Sequence, residues 1–437
     1  MYDALFTKPL DYFKMLFGIK NDAPYFDKYY SEMNHWYKEF DSNLYNDSHT
    51  IIRFNALMRL FSFGFYNVHT VFMCFISLVG LTAIYKTFVS FLANKKKELI
   101  FAVFLLPSVL FWGSGVLKES ILFFGLGLLV YHLNKLAQGH FNTKYLLIII
   151  FSIVLVFYTK FYILVSVIPG MIAFYWVSKT GNRNPALKYF FVFSLVITLG
   201  LNFQFFFPGY DPLEILSIKQ RDFVNLANGG IVMYNNSIIV KIENSNRDAV
   251  VMLKDGKCCL KPGSTYQYWD INNLDDTLSV VNSTDTSAFK FLWNMPESNS
   301  KIDIGKLEPD FRSFVRNAPK AFFNVMFRPF LFESKSLLVF TSAIENTFIL
   351  FFIVFSLLFF KPMSREEKNV FLFCCSFVLI LYVIIGLTTP VLGAIVRYKT
   401  PAIPFLLIAF ITIIDKEKVL NKFPKLLNFF IPILGSK

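Results

Sequence analysis

The chain has 437 residues, of which 55% are hydrophobic and only 17% are charged, and its mean hydropathy is +0.49. Soluble domains carry about 25% charged residues, so the composition excludes an ordinary soluble protein and predicts a polytopic membrane protein. A net charge of +13 would suggest a nucleic-acid partner for a soluble chain, but here the cations lie mainly in short loops between apolar runs, and the sequence contains no nucleic-acid-binding motif.

Residues 1–69 precede the first clear span and are predicted to form helices at the membrane interface on the extracytoplasmic side. In the segment IIRFNALMRLF, Ile51, Phe54 and Met58 recur near helical spacing with arginines between them, which is typical of a helix lying in the interface. An ordinary helix packed on a core is the alternative. Asp22, in the segment KNDAPYFDKYY, is a candidate carboxylate.

The apolar runs predict an all-α polytopic membrane bundle of about nine transmembrane helices, some of them broken. Residues 70–207 would form a first bundle, and residues 321–414 an interfacial segment followed by a second bundle. Several runs are too short to cross alone and must tilt or continue through polar breaks covered by neighbouring helices. The predicted spans are Val71–Leu92, Leu99–Gly115, Ser120–Leu133, Tyr145–Tyr158, Phe161–Val177, Tyr189–Phe207, Leu337–Phe360, Val370–Ile385 and Ala402–Ile414.

Alternate loops are rich in lysine and arginine, and this bias predicts which side of the membrane is cytoplasmic. The basic loops follow the first, third, fifth and seventh predicted spans. The tail at residues 415–437 continues this pattern and is expected to be a cytoplasmic, amphipathic and basic segment able to bind anionic membrane lipid. The opposite side then receives the N-terminal segment, the Gly113–Glu119 break, the polar insertion and the Leu387–Lys399 segment.

The polar insertion at residues 208–320 is predicted to be a small α/β extracytoplasmic domain. The segment DPLEILSIKQRDFVNLAN reads as a helix stopped by Asn228-Gly229-Gly230, and SIIVKI and AVVML read as the two strands of a hairpin. The insertion lacks a GxGxxG motif, a P-loop and a nucleophile elbow, so no independent catalytic unit is predicted. We expect no metal and no cofactor, because the histidines are scattered and no metal-binding motif is present.

Charged residues interrupt the apolar runs at four places, and charge at membrane depth costs about 2.5 to 3.5 kcal/mol per residue, so it is rare without a purpose. The four places are Lys118 with Glu119 beside a Gly-Ser-Gly break, Lys160 in YTKFY, Arg328 with Glu333 and the following Glu345, and Arg397 with Lys399 in VRYKTPAIPF.

These charges suit an anionic ligand such as a diphosphate, whose developing charge arginine neutralises with fixed geometry. Glu119 and Asp22 are candidate bases for an acceptor hydroxyl. The alternatives are that Glu119 pairs with a cation only to lower its insertion cost and that the cations reach to lipid headgroups. For Glu345 we favour a structural role, and Arg312 and Arg316, one helical turn apart, are expected in an interfacial segment.

The elements LPSVLFWGSGVLKESILFFGLGL, YTKFY, FRPFLFE with SAIEN, and VRYKTPAIPF resemble a group of bacterial membrane proteins associated with capsule, exopolysaccharide and O-antigen assembly. In outline the chain is similar to O-antigen polymerase-like proteins and to the membrane-embedded GT-C glycosyltransferases. The resemblance implies action on polyprenyl-diphosphate-linked glycans at the periplasmic face of the inner membrane. Arg397 and Arg328 match the outward-facing arginines of the polymerases. The GT-C enzymes place an acidic residue in the external loop just after their first span, but here no clear span precedes Asp22.

Three hypotheses follow. In the first, the protein is a glycan polymerase or glycosyltransferase, in which Glu119 or Asp22 orients or deprotonates the acceptor, and the diphosphate is held by Arg397, Lys399, Arg328, Lys160 and Lys118. In the second, it transports or flips a lipid-linked oligosaccharide, because broken helices with charges at the break also occur in transporters. In the third, it is a non-catalytic subunit of an envelope or secretion complex and binds a protein partner through residues 208–335.

Overall fold

The structure is a computed structural model of the chain, and most of its described residues are helical. It describes residues 1–19, 27–30, 33, 36, 46–181, 183–235, 238–253, 257–270, 273–280, 289–334 and 336–423.

In the part of the chain that the structure describes, eleven α-helices precede the polar insertion, and seven more lie within it or follow it. The first group is α1 (Ala4–Thr7), α2 (Pro9–Phe17), α3 (Asp27–Tyr30), α4 (Ser48–Ser62), α5 (Tyr66–Val89), α6 (Lys96–Phe104), α7 (Pro107–Ser114), α8 (Lys118–Ala137), α9 (Thr143–Lys179), α10 (Pro185–Leu201) and α11 (Phe203–Phe206). The second group is α12 (Pro212–Asn228), α13 (Phe311–Phe327), α14 (Leu337–Leu358), α15 (Arg365–Thr388), α16 (Leu392–Lys399), α17 (Ile403–Ile413) and α18 (Lys416–Lys422).

By length and composition, six helices among the described residues could cross a membrane, which is compatible with the predicted helical membrane protein. The number becomes seven if the pair Ala93–Phe104 and Pro107–Ser114, bent by 52°, counts as one broken span. The predicted number of about nine is not confirmed. The six are Tyr66–Val89, Lys118–Ala137, Thr143–Lys179, Leu337–Leu358, Arg365–Thr388 and Leu392–Ile413.

Helices α5 and α8 run parallel and touch through glycine. The Cys74 thiol lies 3.4 Å from the carbonyl oxygen of Ser114, just before α8, and further along α5 a Cβ added at Gly80 would lie 2.1 Å from the Phe123 carbonyl oxygen. A Cβ at Gly127 would in turn lie 2.0 Å from the Gly80 carbonyl oxygen. The two backbones can approach this closely only because neither glycine carries a side chain.

Helix α9 folds back on itself at Lys160, whose backbone dihedrals (φ −155°, ψ 89°) are not helical. Near the start of α9, Tyr145 packs its ring against His132 in the last turns of α8, and near its end Phe174 packs against Phe91, just past α5. Both ends of α9 therefore lie at the end of the bundle where α5 and α8 finish. A straight helix of 37 residues would be about 55 Å long, well beyond the roughly 30 Å of a hydrocarbon core.

We call the other end of the bundle, where α8 begins and α9 bends, the insertion end, because the polar insertion joins the bundle there. The segment that contains Ser300 and Ile302, through which the insertion returns to the bundle, is called the return segment, and it pairs with the residues at the start of α16. The Ile302 amide donates to the Pro390 carbonyl at 2.7 Å, and the Leu392 amide donates to the Ser300 carbonyl at 3.0 Å. Within the insertion, Gln220 of α12 also donates to the Leu387 carbonyl at 2.6 Å. The end where α5 and α8 finish is called the loop end.

The described residues of the insertion include α12 and a seven-stranded sheet in which every neighbouring pair is antiparallel. The spatial order is β3-β4-β7-β1-β2-β5-β6. The strands are β1 (Gly230–Asn235), β2 (Ile238–Ile242), β3 (Val250–Met252), β4 (Lys257–Leu260), β5 (Thr265–Asp270), β6 (Asn273–Val280) and β7 (Phe289–Met295).

The expected hairpin between SIIVKI and AVVML is wrong. β2 pairs with β1 and β5, whereas β3 pairs only with β4 among the described strands. The physical reason is the length of the connection. Only two residues separate Asn235 from its partner Ile238, and two-residue connections are the commonest in hairpins, whereas the longer polar stretch Asn244–Ala249 forms a 3-10 helix between β2 and β3.

Candidate functional site

Three side chains from distant parts of the sequence meet at the insertion end. Glu119 lies in the first turn of α8, Lys160 at the bend of α9, and Arg397 in the last turn of α16. The Lys160 Nζ atom donates to Glu119 Oε1 at 2.9 Å. Arg397 donates through Nε to Oε1 at 2.7 Å and through Nη2 to Oε2 at 2.8 Å. This bidentate pair with an added lysine is a charge-assisted contact that joins α8 and α9 to α16.

A second ion pair lies beside this contact. Lys118, the neighbour of Glu119, places its Nζ atom 2.9 Å from Asp47 Oδ2 and 3.2 Å from Ser48 Oγ at the start of α4. We call these residues together the charged cluster: Glu119, Lys160, Arg397, Lys118 and Asp47. Among the described residues, three cations face two carboxylates, so these five side chains together carry one net positive charge.

Burial divides the charged cluster into an inner and an outer part. Glu119 is fully buried and the Lys160 side chain is 4% exposed, whereas Arg397 is 30% exposed and Lys118 is 15% exposed. Both oxygens of Glu119 already accept hydrogen bonds from cations, so in this arrangement the carboxylate holds the cations in place. Its predicted role as a proton acceptor stays a prediction.

Aromatic rings surround the cations. The Arg397 guanidinium carbon lies 5.3 Å from the centre of the Trp112 ring, and Lys160 Nζ lies 4.5 Å from the Tyr398 ring centre, both in cation–π range. Tyr162 belongs to the same environment, because Lys160 Nζ lies 5.8 Å from its ring. Its hydroxyl is buried and has no hydrogen-bond partner among the described residues. Sequence reasoning missed Tyr162, although its place two residues after Lys160 in TKFY is a usable signal.

Lys399 and Arg328 do not join the charged cluster, which differs from the expectation that they hold one diphosphate together with Arg397. Lys399 is 4% exposed, and its Nζ donates to the carbonyls of Val325 and Arg328 at 3.1 and 2.9 Å and to Asn346 Oδ1 at 2.9 Å. All three donors of the ammonium are thereby used. The reason is helical phase: residues two apart, such as Arg397 and Lys399, do not share a helix face.

Arg328 instead lines a separate cavity of about 290 Å³. Its Nε lies 3.4 Å from Glu333 Oε1, and the other oxygen of Glu333 accepts from the Phe330 amide at 3.1 Å. We call this space the junction cavity, because it lies between the return segment of the insertion, the loop after α13 and the start of α16. Its lining residues are Asn299, Ser300, Lys301, Ile302, Asp303, Arg328, Glu333 and Leu392.

The remaining predicted residues are placed as follows. Both oxygens of Glu345 are bound by Ser108, whose amide and hydroxyl donate at 2.8 and 2.7 Å, so Glu345 in α14 satisfies the first turn of α7. Arg312 and Arg316 lie one turn apart on the exposed face of α13. Asp22 lies outside the described residues. In the part of the chain that the structure describes, no group of three His, Cys, Asp or Glu residues could hold a metal ion.

No protein-family model, curated protein or solved structure matches the chain.

Proposed function

We propose that the protein binds a polyprenyl-diphosphate-linked glycan at the charged cluster and transfers or polymerises its saccharide at the periplasmic face of the bacterial inner membrane. The observation that carries the proposal is the charged cluster itself. It joins three cations at the insertion end, has one net positive charge, and leaves Arg397 and Lys118 partly exposed to an incoming ligand.

The chemistry of a diphosphate leaving group fits this arrangement. When the bond from the sugar C1 carbon to the diphosphate oxygen breaks, negative charge grows on the diphosphate, and a guanidinium held in a low-dielectric site stabilises that charge strongly. Glu119 acts as a positioning residue, because its bidentate contact fixes the plane of the Arg397 guanidinium and its contact with Lys160 places the second cation. Asp22 keeps the role proposed from the sequence, accepting the proton of the acceptor hydroxyl.

The distribution of basic residues supports the proposed orientation. Lys95 lies at the loop end, where its Nζ donates to the carbonyls of Ile411 and Ile414 at 2.6 and 2.7 Å, and the basic segments that follow α8, α9 and α14 lie at that end as well. Loops rich in lysine and arginine face the cytoplasm in bacterial inner-membrane proteins. The insertion end, with the charged cluster, would then face the periplasm.

The experiment is reconstitution of the purified protein in proteoliposomes with a polyprenyl-diphosphate-linked saccharide, with chain growth measured on gels. We expect Arg397→Ala to lower the rate by roughly 100-fold or more, as removal of one charge-stabilising donor does in other active sites. Arg397→Lys keeps the charge but loses the two-pronged contact, so its rate should be intermediate. Arg316→Ala, an exposed arginine outside the charged cluster, is the matched control and should leave the rate unchanged.

Three results would overturn the proposal. The first is an Arg397→Ala protein that extends chains at the wild-type rate, or that loses activity only in proportion to the protein lost from the membrane. The second is movement of the labelled lipid-linked saccharide across the bilayer without chain growth, which would make the protein a transporter. The third is an inactive protein that co-purifies stoichiometrically with a partner through residues 208–335, which would make it a subunit of a larger assembly.

A further inference from the structure

The junction cavity lies outside the charged cluster, and its lining mixes hydrogen-bond donors and acceptors. Lys301 and Arg328 supply cationic donors, whereas Asp303 and Glu333 supply carboxylate acceptors, and Asn299 and Ser300 add neutral polar groups. The two cations and two carboxylates of the lining cancel in formal charge, so the cavity has no excess of positive charge to favour a phosphate group. Hydroxyl groups both donate and accept hydrogen bonds, so a ligand with several hydroxyls fits a lining of both kinds.

One donor in this cavity is unused. The Arg328 Nε atom is buried and has no hydrogen-bond partner among the described residues, because Glu333 Oε1, at 3.4 Å, is not in hydrogen-bonding geometry. Buried polar atoms in native proteins are nearly always paired, with protein groups, water or a ligand. A ligand hydroxyl that accepts from Arg328 and donates to Glu333 would satisfy both groups at once.

The size of the cavity and a neighbouring aromatic pair narrow the class of ligand. A volume of about 290 Å³ lies at the lower limit of small-molecule sites and suits one sugar ring better than a lipid chain. In the loop that joins Arg328 to Glu333, the rings of Phe330 and Phe332 stack with centroids 5.3 Å apart. Phe332 is 85% exposed, so it presents an open apolar face of the kind on which the C–H face of a sugar packs.

Helix α16 connects this cavity to the charged cluster. Leu392 lines the cavity in the first turn of α16, and Arg397 lies five residues later, which is about 7.5 Å along a helix axis. Lys399 adds a second link, because it donates to the backbone carbonyl of Arg328 at 2.9 Å. The two places are therefore held at a fixed, short separation.

We propose that the junction cavity binds one sugar ring of a saccharide, held by Arg328, Glu333, Asp303 and Lys301. The assignment of the junction cavity as the acceptor subsite, beside a diphosphate at the charged cluster, rests on the proposed function. The binding of a sugar ring in the cavity does not rest on the proposed function.

The test uses the full chain in lipid nanodiscs and saturation-transfer NMR with glucose, galactose, N-acetylglucosamine and glucuronic acid as probes. We expect at least one of these sugars to bind and inorganic pyrophosphate to leave it bound. Arg328→Ala and Asp303→Asn should each raise the Kd of that sugar by at least about tenfold, which corresponds to about 1.4 kcal/mol. Asp303 is 89% exposed, so its variant keeps the test valid if Arg328→Ala does not fold. Lys306→Gln is the control, since Lys306 is 85% exposed and outside the cavity.

The inference is overturned if none of the four sugars binds, if pyrophosphate displaces the bound sugar, or if both cavity variants bind like the wild type. Its failure is separable from that of the proposed function. A wild-type protein that binds the sugar at the junction cavity but extends no chain would contradict only the proposed function. A protein that extends chains without binding any sugar at the cavity would contradict only this inference.

Discussion

The Glu119→Gln substitution tests whether the charged cluster holds the bundle together. Gln has nearly the same shape as Glu, but it leaves Lys160 and Arg397 without a counter-charge. Breaking a buried ion pair by removing one partner costs about 3 to 5 kcal/mol. The Lys160 side chain is only 4% exposed, so water cannot solvate its unpaired charge, whereas the Arg397 side chain is 30% exposed and is partly solvated. We therefore expect the free energy of unfolding to fall by about 3 kcal/mol, at the lower end of that range.

The assay is the free energy of unfolding, measured by SDS titration in mixed micelles with helical circular dichroism as the signal. Glu308→Gln is the control, because Glu308 forms an exposed pair with Lys306, and exposed pairs contribute about 1 kcal/mol or less. A Glu119→Gln protein as stable as this control would refute the claim that the carboxylate compensates buried cations.

A double-mutant cycle separates charge compensation from local packing. Lys160→Met removes the buried cation, so combining it with Glu119→Gln should relieve part of the uncompensated charge. The double variant should therefore be more stable, by about 1 kcal/mol or more, than the sum of the two single losses predicts. Independent sites add to within roughly 0.5 kcal/mol. Additivity within that limit would contradict an electrostatic link between the two residues.

Two further predictions concern packing and thiol chemistry. Gly80→Ala should lower the free energy of unfolding by about 1 to 3 kcal/mol, because its Cβ would lie 2.1 Å from the backbone oxygen of Phe123. Gly200→Ala is the control and should be neutral or stabilising, because Gly200 has open space around it. Equal effects of the two substitutions in the same SDS titration would count against the close contact between α5 and α8. Burial raises the pKa of the Cys258 thiol, so N-ethylmaleimide near neutral pH should label the partly exposed Cys259 before Cys258. Equal labelling rates of the two thiols, measured by mass spectrometry, would contradict the burial of Cys258 in β4.

The sequence carried enough information to predict a helical membrane bundle with a small α/β insertion, because long apolar runs and their polar interruption are local features. The break at Lys160 was also predictable, since a single cation separates two apolar segments there. Glu119 could be singled out for the same reason. Its cost in a bilayer implied a nearby cation, although which cation it was could not be read from one chain without its fold.

The grouping of cations was harder to predict, because it depends on helical phase and on long-range contacts. Arg397 and Lys399 are close in sequence, yet α16 turns them to different sides, one toward Glu119 and the other toward the Arg328 carbonyl. The pair between Arg328 and Glu333, by contrast, joins two residues that are neighbours in the sequence and could be grouped from it. The strand pairing of the insertion was also hard to predict, because it too depends on long-range contacts. In the sheet β7 lies between β4 and β1, and no local sequence pattern indicates this order.

The contact between Glu119 and Lys160 bears on how the chain enters the bilayer during synthesis. Arg397 is 278 residues further along than Glu119, so α8 is made long before its guanidinium partner. Lys160 follows only 41 residues after Glu119, so the buried carboxylate can pair with a cation as soon as the hairpin of α8 and the first half of α9 has formed. The translocon could therefore release that hairpin into the bilayer before the rest of the chain is made. Arg397, which is synthesised later, would then bind Glu119 and join α16 to helices that are already in the membrane.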